Sequence, residues 1–159
     1  MSTIKPLKIT AESFAPFGKY CHLKNEERLP SSQYEEYISA EKYVYRPMRF
    51  GMTMCENTEI LDVDSMERHM TTEEIIICGD KPIVLAVANS DPHGEPQAQD
   101  VCVFILEPGD MVMMDTGIWH DACQAVKENA FYYFVAHGTG KGDEIVWHDV
   151  QPSPCRVCL

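Results

Sequence analysis

Positive charge is scarce in this sequence. Only 13 Lys and Arg residues stand against 25 Asp and Glu residues, so the formal net charge at pH 7 is −12. Nucleic acids and anionic membranes bind proteins through basic surfaces, and we therefore predict neither as a partner. The chain also has no run close to the roughly 20 apolar residues that a transmembrane helix needs. A small acidic substrate is compatible with this charge, because one local Arg can hold a carboxylate.

The pattern of cysteines does not indicate a disulfide framework. The chain has seven Cys, an odd number, and residues such as Cys78 and Cys102 lie inside apolar runs. Cysteines of this kind are typical of buried thiols in a reducing compartment. The opening residues 1–6 lack the apolar stretch of a secretory signal peptide. We therefore expect a cytoplasmic protein.

The end of the chain contains a lone C-x-x-C segment, Cys155–Cys158, directly after Pro152-Ser153-Pro154. A structural zinc site needs four ligands, and no second pair of ligands accompanies this one. We predict that residues from about 150 to 159 form a loosely packed tail. Because 159 residues is a typical length for one domain, we predict a single domain over residues 1–159.

Short apolar runs dominate the sequence from Tyr43 to Trp147, and turn residues such as Pro, Gly, Asn and Asp separate them. Strands at this spacing indicate an all-β sandwich or barrel, and periodicity alone does not choose between the two. The clearest helical signal lies near the start, where Thr10 is a candidate N-cap for a short helix that begins at Ala11 and that Gly18 could end. The prediction is therefore an all-β fold with a short N-terminal helix.

One segment combines a histidine with several carboxylates, since it begins with Glu67-Arg68-His69 and continues with Glu73 and Glu74. Alternate residues of a strand share one face, so Glu67 and His69 should project together while Arg68 projects to the opposite side. For the same reason only one of the adjacent pair Glu73 and Glu74 can line the same interior. The segment resembles a degraded first cupin motif, with Glu67 in place of its first His.

A second segment resembles the second cupin motif. It runs from Gly109 through Asp115 and Gly117 to His120, with Gln124 four residues further on; Asp115 replaces the usual Pro and Gln124 the usual Asn. The resemblance implies a jelly-roll β-barrel in which the two motifs face each other. Imidazole and carboxylate groups gathered in this way suit a divalent transition metal. We therefore predict a metal site formed by His69, Glu74 and His120, with Glu67 as a fourth ligand or as the base.

Four segments together resemble the ureidoglycolate lyase family. Met66–His69 is similar to its L-E-R-H segment, Ile9–Gly18 to its L-T-x-E-A-F-x-P-Y-G opening, Gly79–Ala88 to its turn and V-V-V-A strand, and Gly117–His120 to its W-H segment. The resemblance extends from Ile9 to about Ala136. It implies an enzyme that cleaves ureidoglycolate to glyoxylate and urea, and it also suggests a homodimer.

The resemblance implies roles for individual residues. Glu67 and His120 would be catalytic, and the substrate-binding residues would be Arg68, Trp119 and Gln124. Two of these have an alternative: Arg68 could instead hold a neighbouring strand or subunit, and Trp119 is either a core residue or a pocket wall. The chain departs from the family pattern where it has Met70 for Pro, Glu74 for Gln and Asp121 for a second His. Two other functions therefore stay open: another metal-dependent cupin enzyme, such as a sugar or keto-acid isomerase, and a non-enzymatic cupin that binds a small ligand.

Overall fold

The structure is a computed structural model that describes residues 2–29, 36–38, 48–58, 61–137 and 145–159. Within these ranges the chain forms one α-helix, two 3-10 helices (Leu23–Asn25 and Ala98–Asp100) and 17 strands. The helix is α1 (Ala11–Phe14), and no helix in these ranges is long and apolar enough to cross a membrane. In chain order the strands are β1 (Ser2–Ile4), β2 (Leu7–Lys8), β3 (Gly18–His22), β4 (Glu27–Leu29), β5 (Glu36–Ile38), β6 (Met48–Cys55), β7 (Leu61–Val63), β8 (Ser65–His69), β9 (Glu74–Cys78), β10 (Ile83–Ala88), β11 (Cys102–Leu106), β12 (Asp110–Met114), β13 (Trp119–His120), β14 (Gln124–Ala125), β15 (Ala130–His137), β16 (Ile145–Asp149) and β17 (Cys155–Val157).

The short N-terminal helix begins where the sequence predicts it. The Thr10 hydroxyl accepts a hydrogen bond from the backbone N–H of Ser13 (3.0 Å), and the Ser13 hydroxyl accepts one from the N–H of Thr10 (2.9 Å). This reciprocal capping box satisfies donors that the first turn would otherwise leave unpaired. Phe14 at the other end is fully buried and contacts the ring of Phe104 at 5.4 Å between centroids. The helix therefore fixes the N-terminal segment against β11.

Two large sheets carry most of the structure. The first has the order β16-β8-β13-β10-β11-β2, with β14 also paired to β10, and the second has the order β3-β12-β9-β15-β6. The chain crosses repeatedly between them, from β8 to β9 to β10 and from β11 to β12 to β13, as in a double-sheet jelly roll. The predicted all-β, cupin-like jelly roll with a short helix is confirmed. Among the described residues its two sheets pack face to face and do not close into one hydrogen-bonded barrel.

The main core lies between the two sheets. Alternate residues of β10 and β11, such as Leu85 and Phe104, pack against alternate residues of β9 and β12, such as Ile76 and Val112. A second apolar cluster covers the outer face of the first sheet and includes Trp119. The strand β8 lies between these two environments, so its two faces meet different surroundings.

The predicted loose tail is wrong for residues 155–157. Strand β17 pairs in parallel with β1 and antiparallel with β7, and it buries Cys155 completely and Val157 almost completely. Between them, Arg156 donates two hydrogen bonds to Asp62, at 2.9 and 3.0 Å. The tail is ordered because its alternate apolar residues fill the space between two strands that are distant in sequence. None of the cysteines forms a disulfide within the described ranges.

Candidate metal centre

Strands β8 and β13 bring two histidines and a carboxylate together on the inner face of the first sheet. Glu67 and His120 lie directly opposite each other in the antiparallel register. The rings of His69 and His120 are stacked, with 5.3 Å between centroids. One ligand atom from each of these three residues lies within 4.8 Å of the other two. The pleat of β8 therefore places Glu67 and His69 on the same face, as the alternation predicts.

The opposite sheet contributes a second carboxylate to this cluster. Glu74, the first residue of β9, places Oε2 2.9 Å from Nε2 of His120 and 3.4 Å from Nε2 of His69. Its neighbour Glu73 is exposed. The structure thus brings together the three predicted ligands, and it selects Glu74 over Glu73.

The turn before β13 sets the position of His120. Gly117 has a φ of +84°, a conformation that a residue with a side chain rarely adopts. Its backbone N–H donates to the carbonyl of His69 at 2.8 Å, and the N–H of Ile118 donates to the carbonyl of Asp115 at 3.2 Å. The glycine of the second motif is therefore needed because the turn ties the two histidine-bearing segments together.

The contact of His120 with a backbone carbonyl indicates which of its ring nitrogens carries the proton. Nδ1 lies 3.1 Å from the carbonyl oxygen of Ile118, and a carbonyl only accepts, so Nδ1 carries the proton. In the neutral ring Nε2 is then a bare lone pair. This buried nitrogen has no well-aligned hydrogen-bond donor or acceptor, yet it faces the carboxylates of Glu74 at 2.9 Å and Glu67 at 3.8 Å. A lone pair held against two carboxylates requires a proton or a cation between them, and the donor set fits a divalent metal.

The three carboxyl groups near the cluster differ in acidity. Burial alone would raise the pKa of Glu74, but without a metal the His120 and His69 imidazoles, in their protonated forms, outweigh this effect and lower it to about 2. Burial raises the pKa of Glu67, although the same two imidazoles partly oppose the shift. Burial also raises the pKa of Asp121 to about 6, against the stabilising hydrogen bond from Gln124. Glu74 is therefore a permanent anion near neutral pH, while Glu67 and Asp121 hold a proton more readily than ordinary carboxyl groups.

Two of the three predicted substrate-binding residues lie on the back of the sheet. The guanidinium of Arg68 lies 4.4 Å from the centroid of the Trp119 ring and donates to the hydroxyl of Ser90 at 2.8 Å. The indole N–H of Trp119 donates to the same hydroxyl at 3.1 Å, and the ring is fully buried in the outer cluster. The structure does not bring Arg68 or Trp119 to the cluster of His69, His120, Glu67 and Glu74, because adjacent strand residues project to opposite faces. Together they fasten β8 to β13 from behind.

The third predicted substrate-binding residue, Gln124, supports a neighbour of the cluster. Its amide donates to the carbonyl of Asp62 at 2.9 Å and to the carboxylate of Asp121 at 3.1 Å. Gln124 therefore orients Asp121, which follows His120 directly in the chain. Sequence reasoning missed one neighbour of the cluster: Trp147 of β16 lies directly opposite Glu67. Only the order of strands in the sheet reveals this proximity, since 80 residues separate the two positions.

A jelly roll that gathers two histidines and two carboxylates from three strands defines a protein suited to holding a divalent metal between its sheets. A model of one family, described as ureidoglycolate lyase, matches residues 1–156 of the chain. The protein belongs to the ureidoglycolate lyase family. No curated protein matches the chain significantly.

Several solved structures show distant likeness to the chain. RmlC from Streptococcus suis in complex with dTDP-D-xylose has a TM-score of 0.42 and 8% identity, over 57% of this chain and 44% of that one. Oxalate decarboxylase from Lactobacillus farciminis, as a formate complex, has a TM-score of 0.45 and 13% identity, over 65% and 27%. A structure of Bacillus subtilis oxalate decarboxylase reported with its Mn(II) centres has a TM-score of 0.45 and 15% identity, over 80% and 30%. The chain spans less than half the length of each of these structures.

Proposed function

We propose that the protein is a metal-dependent lyase that cleaves ureidoglycolate to glyoxylate and urea, or that acts on a similar small hydroxy acid. The family supports the reaction class. The observation that carries the proposal is the inward lone pair of His120, which faces two carboxylates and has no well-aligned hydrogen-bond partner. A nitrogen prepared in this way is typical of a metal ligand whose other ring nitrogen is anchored to the backbone.

The different acidities of Glu74 and Glu67 support different roles. Glu74, with a pKa lowered to about 2, stays anionic and would hold the metal with His69 and His120. When bound, a divalent metal would hold the hydroxyl and carboxylate oxygens of the substrate and make the hydroxyl more acidic. Glu67, whose pKa burial raises, is suited to accept and return a proton. Enzymes commonly assign different roles to two carboxyl groups by placing them in environments that separate their pKa values.

The cleavage needs one proton to move between two atoms of the substrate. Glu67 removes the proton of the carbinol hydroxyl, the C–O bond becomes the aldehyde C=O, and the C–N bond breaks. The same carboxyl group then returns the proton to the departing urea nitrogen, so atoms and charge balance within the site. His69 and His120 keep their positions throughout, because the backbone contacts at Gly117 and Ile118 hold their strands together.

The metal and the reaction are tested together with two variants. We expect the purified protein to contain a divalent transition metal and to release glyoxylate from ureidoglycolate, with activity lost in a chelator. Glu74→Gln should lose metal and activity, whereas Glu67→Gln should keep most of the metal and lose activity, because it removes the proton carrier. A protein without metal and without glyoxylate release would contradict the proposal. Loss of metal in Glu67→Gln alone would reverse the two carboxylate roles.

The predicted homodimer and the cytoplasmic location stay predictions. The edge strand β6 exposes Phe50, Met52 and Met54, with 68%, 53% and 61% of their surfaces accessible. Contiguous exposed apolar side chains of this kind support an interface with a second copy. Light scattering that gives the monomer mass of 18.1 kDa at micromolar concentration would contradict the dimer.

A further inference from the structure

The aromatic residue beside the candidate base has no role in the site described so far. In β16, Trp147 lies directly opposite Glu67, and Ile145 lies directly opposite His69. Directly paired residues of antiparallel strands project from the same face, with Cβ atoms roughly 5 Å apart. The residue between them, Val146, packs against the outer cluster on the back of the sheet, which confirms this alternation. Trp147 and Ile145 therefore lie on the face of the sheet that carries Glu67 and His69.

These two side chains are unusually exposed for their size. Trp147 has 54% of its surface accessible and Ile145 has 46%. The other tryptophan, Trp119, is fully buried. A large apolar surface next to convergent polar groups is the usual composition of a small-molecule site. The position of Trp147 beside Glu67 thus makes its indole available to a ligand that binds at the cluster.

A cationic residue, Arg49, lies on the second sheet in the same row as Glu74. Glu74 of β9 pairs with Ala136 of β15, and Ala136 pairs with Arg49 of β6. The three residues form one row across the sheet, so Arg49 shares a face with Glu74 at a distance of two strands, about 10 Å between their Cα atoms. Cys55, six residues after Arg49 on the same strand, belongs to the main core. This parity places the row on the face of the second sheet that carries the main core, with Arg49 itself exposed at the outer end of the row.

The edge strands β6 and β16, which carry Arg49 and Trp147, lie on the same side of the sandwich. On one side, Phe17 precedes β3 and packs on Phe104 of β11, with 5.9 Å between centroids. On the other side, the thiol of Cys55 in β6 donates to the carbonyl of Cys123, which lies between β13 and β14. The two sheets are therefore aligned so that β3 faces the β11 end of the first sheet, and β6 faces the end that holds β8 and β16.

We propose that Arg49 and Trp147 form the substrate-binding walls of the candidate site, an inference that rests on the proposed function. Arg49 binds the substrate carboxylate, for which its planar guanidinium offers paired donors. Trp147 packs its indole against the planar ureido group, next to the carboxyl of Glu67 that moves the proton. Arg49 takes the role that the sequence suggests for Arg68, whose guanidinium lies on the back of the sheet against Trp119.

Ureidoacetate is a suitable probe because it carries the ureido and carboxylate groups but no hydroxyl, and so it cannot be cleaved in this way. Glycolate carries the same carboxylate with a hydroxyl in place of the ureido group. Binding of both to the purified full chain is measured by calorimetry. Arg49→Gln should weaken both ligands at least about tenfold, since both lose a charge-assisted contact. Trp147→Ala should weaken ureidoacetate by roughly three- to tenfold and leave glycolate nearly unchanged.

Tryptophan fluorescence gives a second measurement that does not depend on catalysis. Acrylamide should quench one indole in the free protein, and ureidoacetate should protect it. Trp147→Ala should abolish that protection. Phe50→Ala is the matched control for Trp147→Ala, since Phe50 is an exposed aromatic residue on the outer face of β6. Arg156→Gln is the matched control for Arg49→Gln, since Arg156 carries its guanidinium on β17. Neither control should alter ligand binding.

The outcomes separate this inference from the proposed function. Unchanged binding of both ligands in Arg49→Gln and Trp147→Ala overturns the inference, even if glyoxylate release and metal content are normal. An indole that acrylamide does not reach in the free protein also overturns it, because another segment or a second copy then covers Trp147. Selective loss of ureidoacetate binding in a protein that releases no glyoxylate supports the binding walls while the lyase reaction fails.

Discussion

The two faces of β8 carry different kinds of polar contact. On the front, the carboxylate of Glu67 and the ring of His69 face His120, whose Nε2 lacks a well-aligned hydrogen-bond partner. On the back, the guanidinium of Arg68 stacks on Trp119, and both residues donate to one hydroxyl, that of Ser90. The front thus presents an unshared nitrogen lone pair next to carboxylates, as a binding site does. The back packs a guanidinium on an aromatic ring and supports the strand.

This difference shows how a strand separates chemistry from its support. Glu67, Arg68 and His69 are consecutive in sequence, but the pleat sends the first and third to the site and the second to the core behind it. Strand β13 repeats the division, with His120 in front and Trp119 behind. Because β8 and β13 share a single register pair, the stack on the back is a substantial part of what keeps the two histidines aligned.

The largest expected effect comes from removing a front-face ligand. His120→Ala should lower metal affinity by more than about 100-fold, beyond the usual loss on changing a residue that only supports a ligand. Activity should disappear with the metal, while the far-ultraviolet circular dichroism spectrum stays unchanged. His148→Ala is the matched control, since His148 contacts Trp119 on the back at 5.4 Å between ring centroids. Full metal binding by His120→Ala would show that the front face is not the metal site.

The acidity of Glu74 predicts a pH dependence of stability in metal-free protein. Its pKa is lowered from 4.5 to about 2 in the folded state, so its favourable contribution is complete above about pH 4.5 and is lost as the pH falls towards about 2. The stability gap between wild type and Glu74→Gln, a few kcal/mol at neutral pH, should therefore shrink between about pH 5 and about pH 2. Chemical denaturation at several pH values measures this gap. A gap that stays constant over this range would contradict the lowered pKa.

A smaller effect should follow from loosening the back face. Arg68→Ala removes the stack on Trp119 and the hydrogen bond to Ser90, at a cost of roughly 1–3 kcal/mol in stability. Metal affinity should fall by about tenfold, because the two histidine-bearing strands lose alignment. Arg68→Lys should recover only part of both, since an ammonium lacks the planar fork.

The control for this back-face variant is Arg156→Ala, which breaks the pair with Asp62 on the three-stranded sheet. It should reduce stability without reducing metal affinity. Equal losses of metal affinity in the two variants would show that Arg68 acts only through the stability of the whole fold and not by aligning the site.

The smallest effect is expected far from both faces, at the helix N-cap. Thr10→Ala removes the hydroxyl that accepts from Ser13 and should lower stability by about 1 kcal/mol. Metal affinity should not change, because α1 packs through Phe14 on Phe104 of β11. Thermal unfolding combined with a metal titration measures both quantities. A change in metal affinity would indicate that the N-terminal segment also positions the site.

Local patterns were sufficient for much of the fold and of the candidate centre. The Thr10 cap, the all-β class and the alternation of Glu67 with His69 each depend on residues a few positions apart. The order of the two motifs also predicted that His120 would meet His69. Local patterns failed at Cys155–Val157, where a tail was expected, because strand formation there depends on β1 and β7 on either side.

The sequence by itself determined which residues share a face of each strand, because the pleat has a period of two and needs no distant partner. It therefore separated Glu67 and His69 from Arg68 and limited the choice to Glu73 or Glu74. Only the tertiary structure decided which strands lie side by side. The pairing of β16 with β8 brings Trp147 to Glu67, and the packing of the two sheets brings Glu74 to His120. Such long-range register depends on the packing of the whole core, which no local pattern contains.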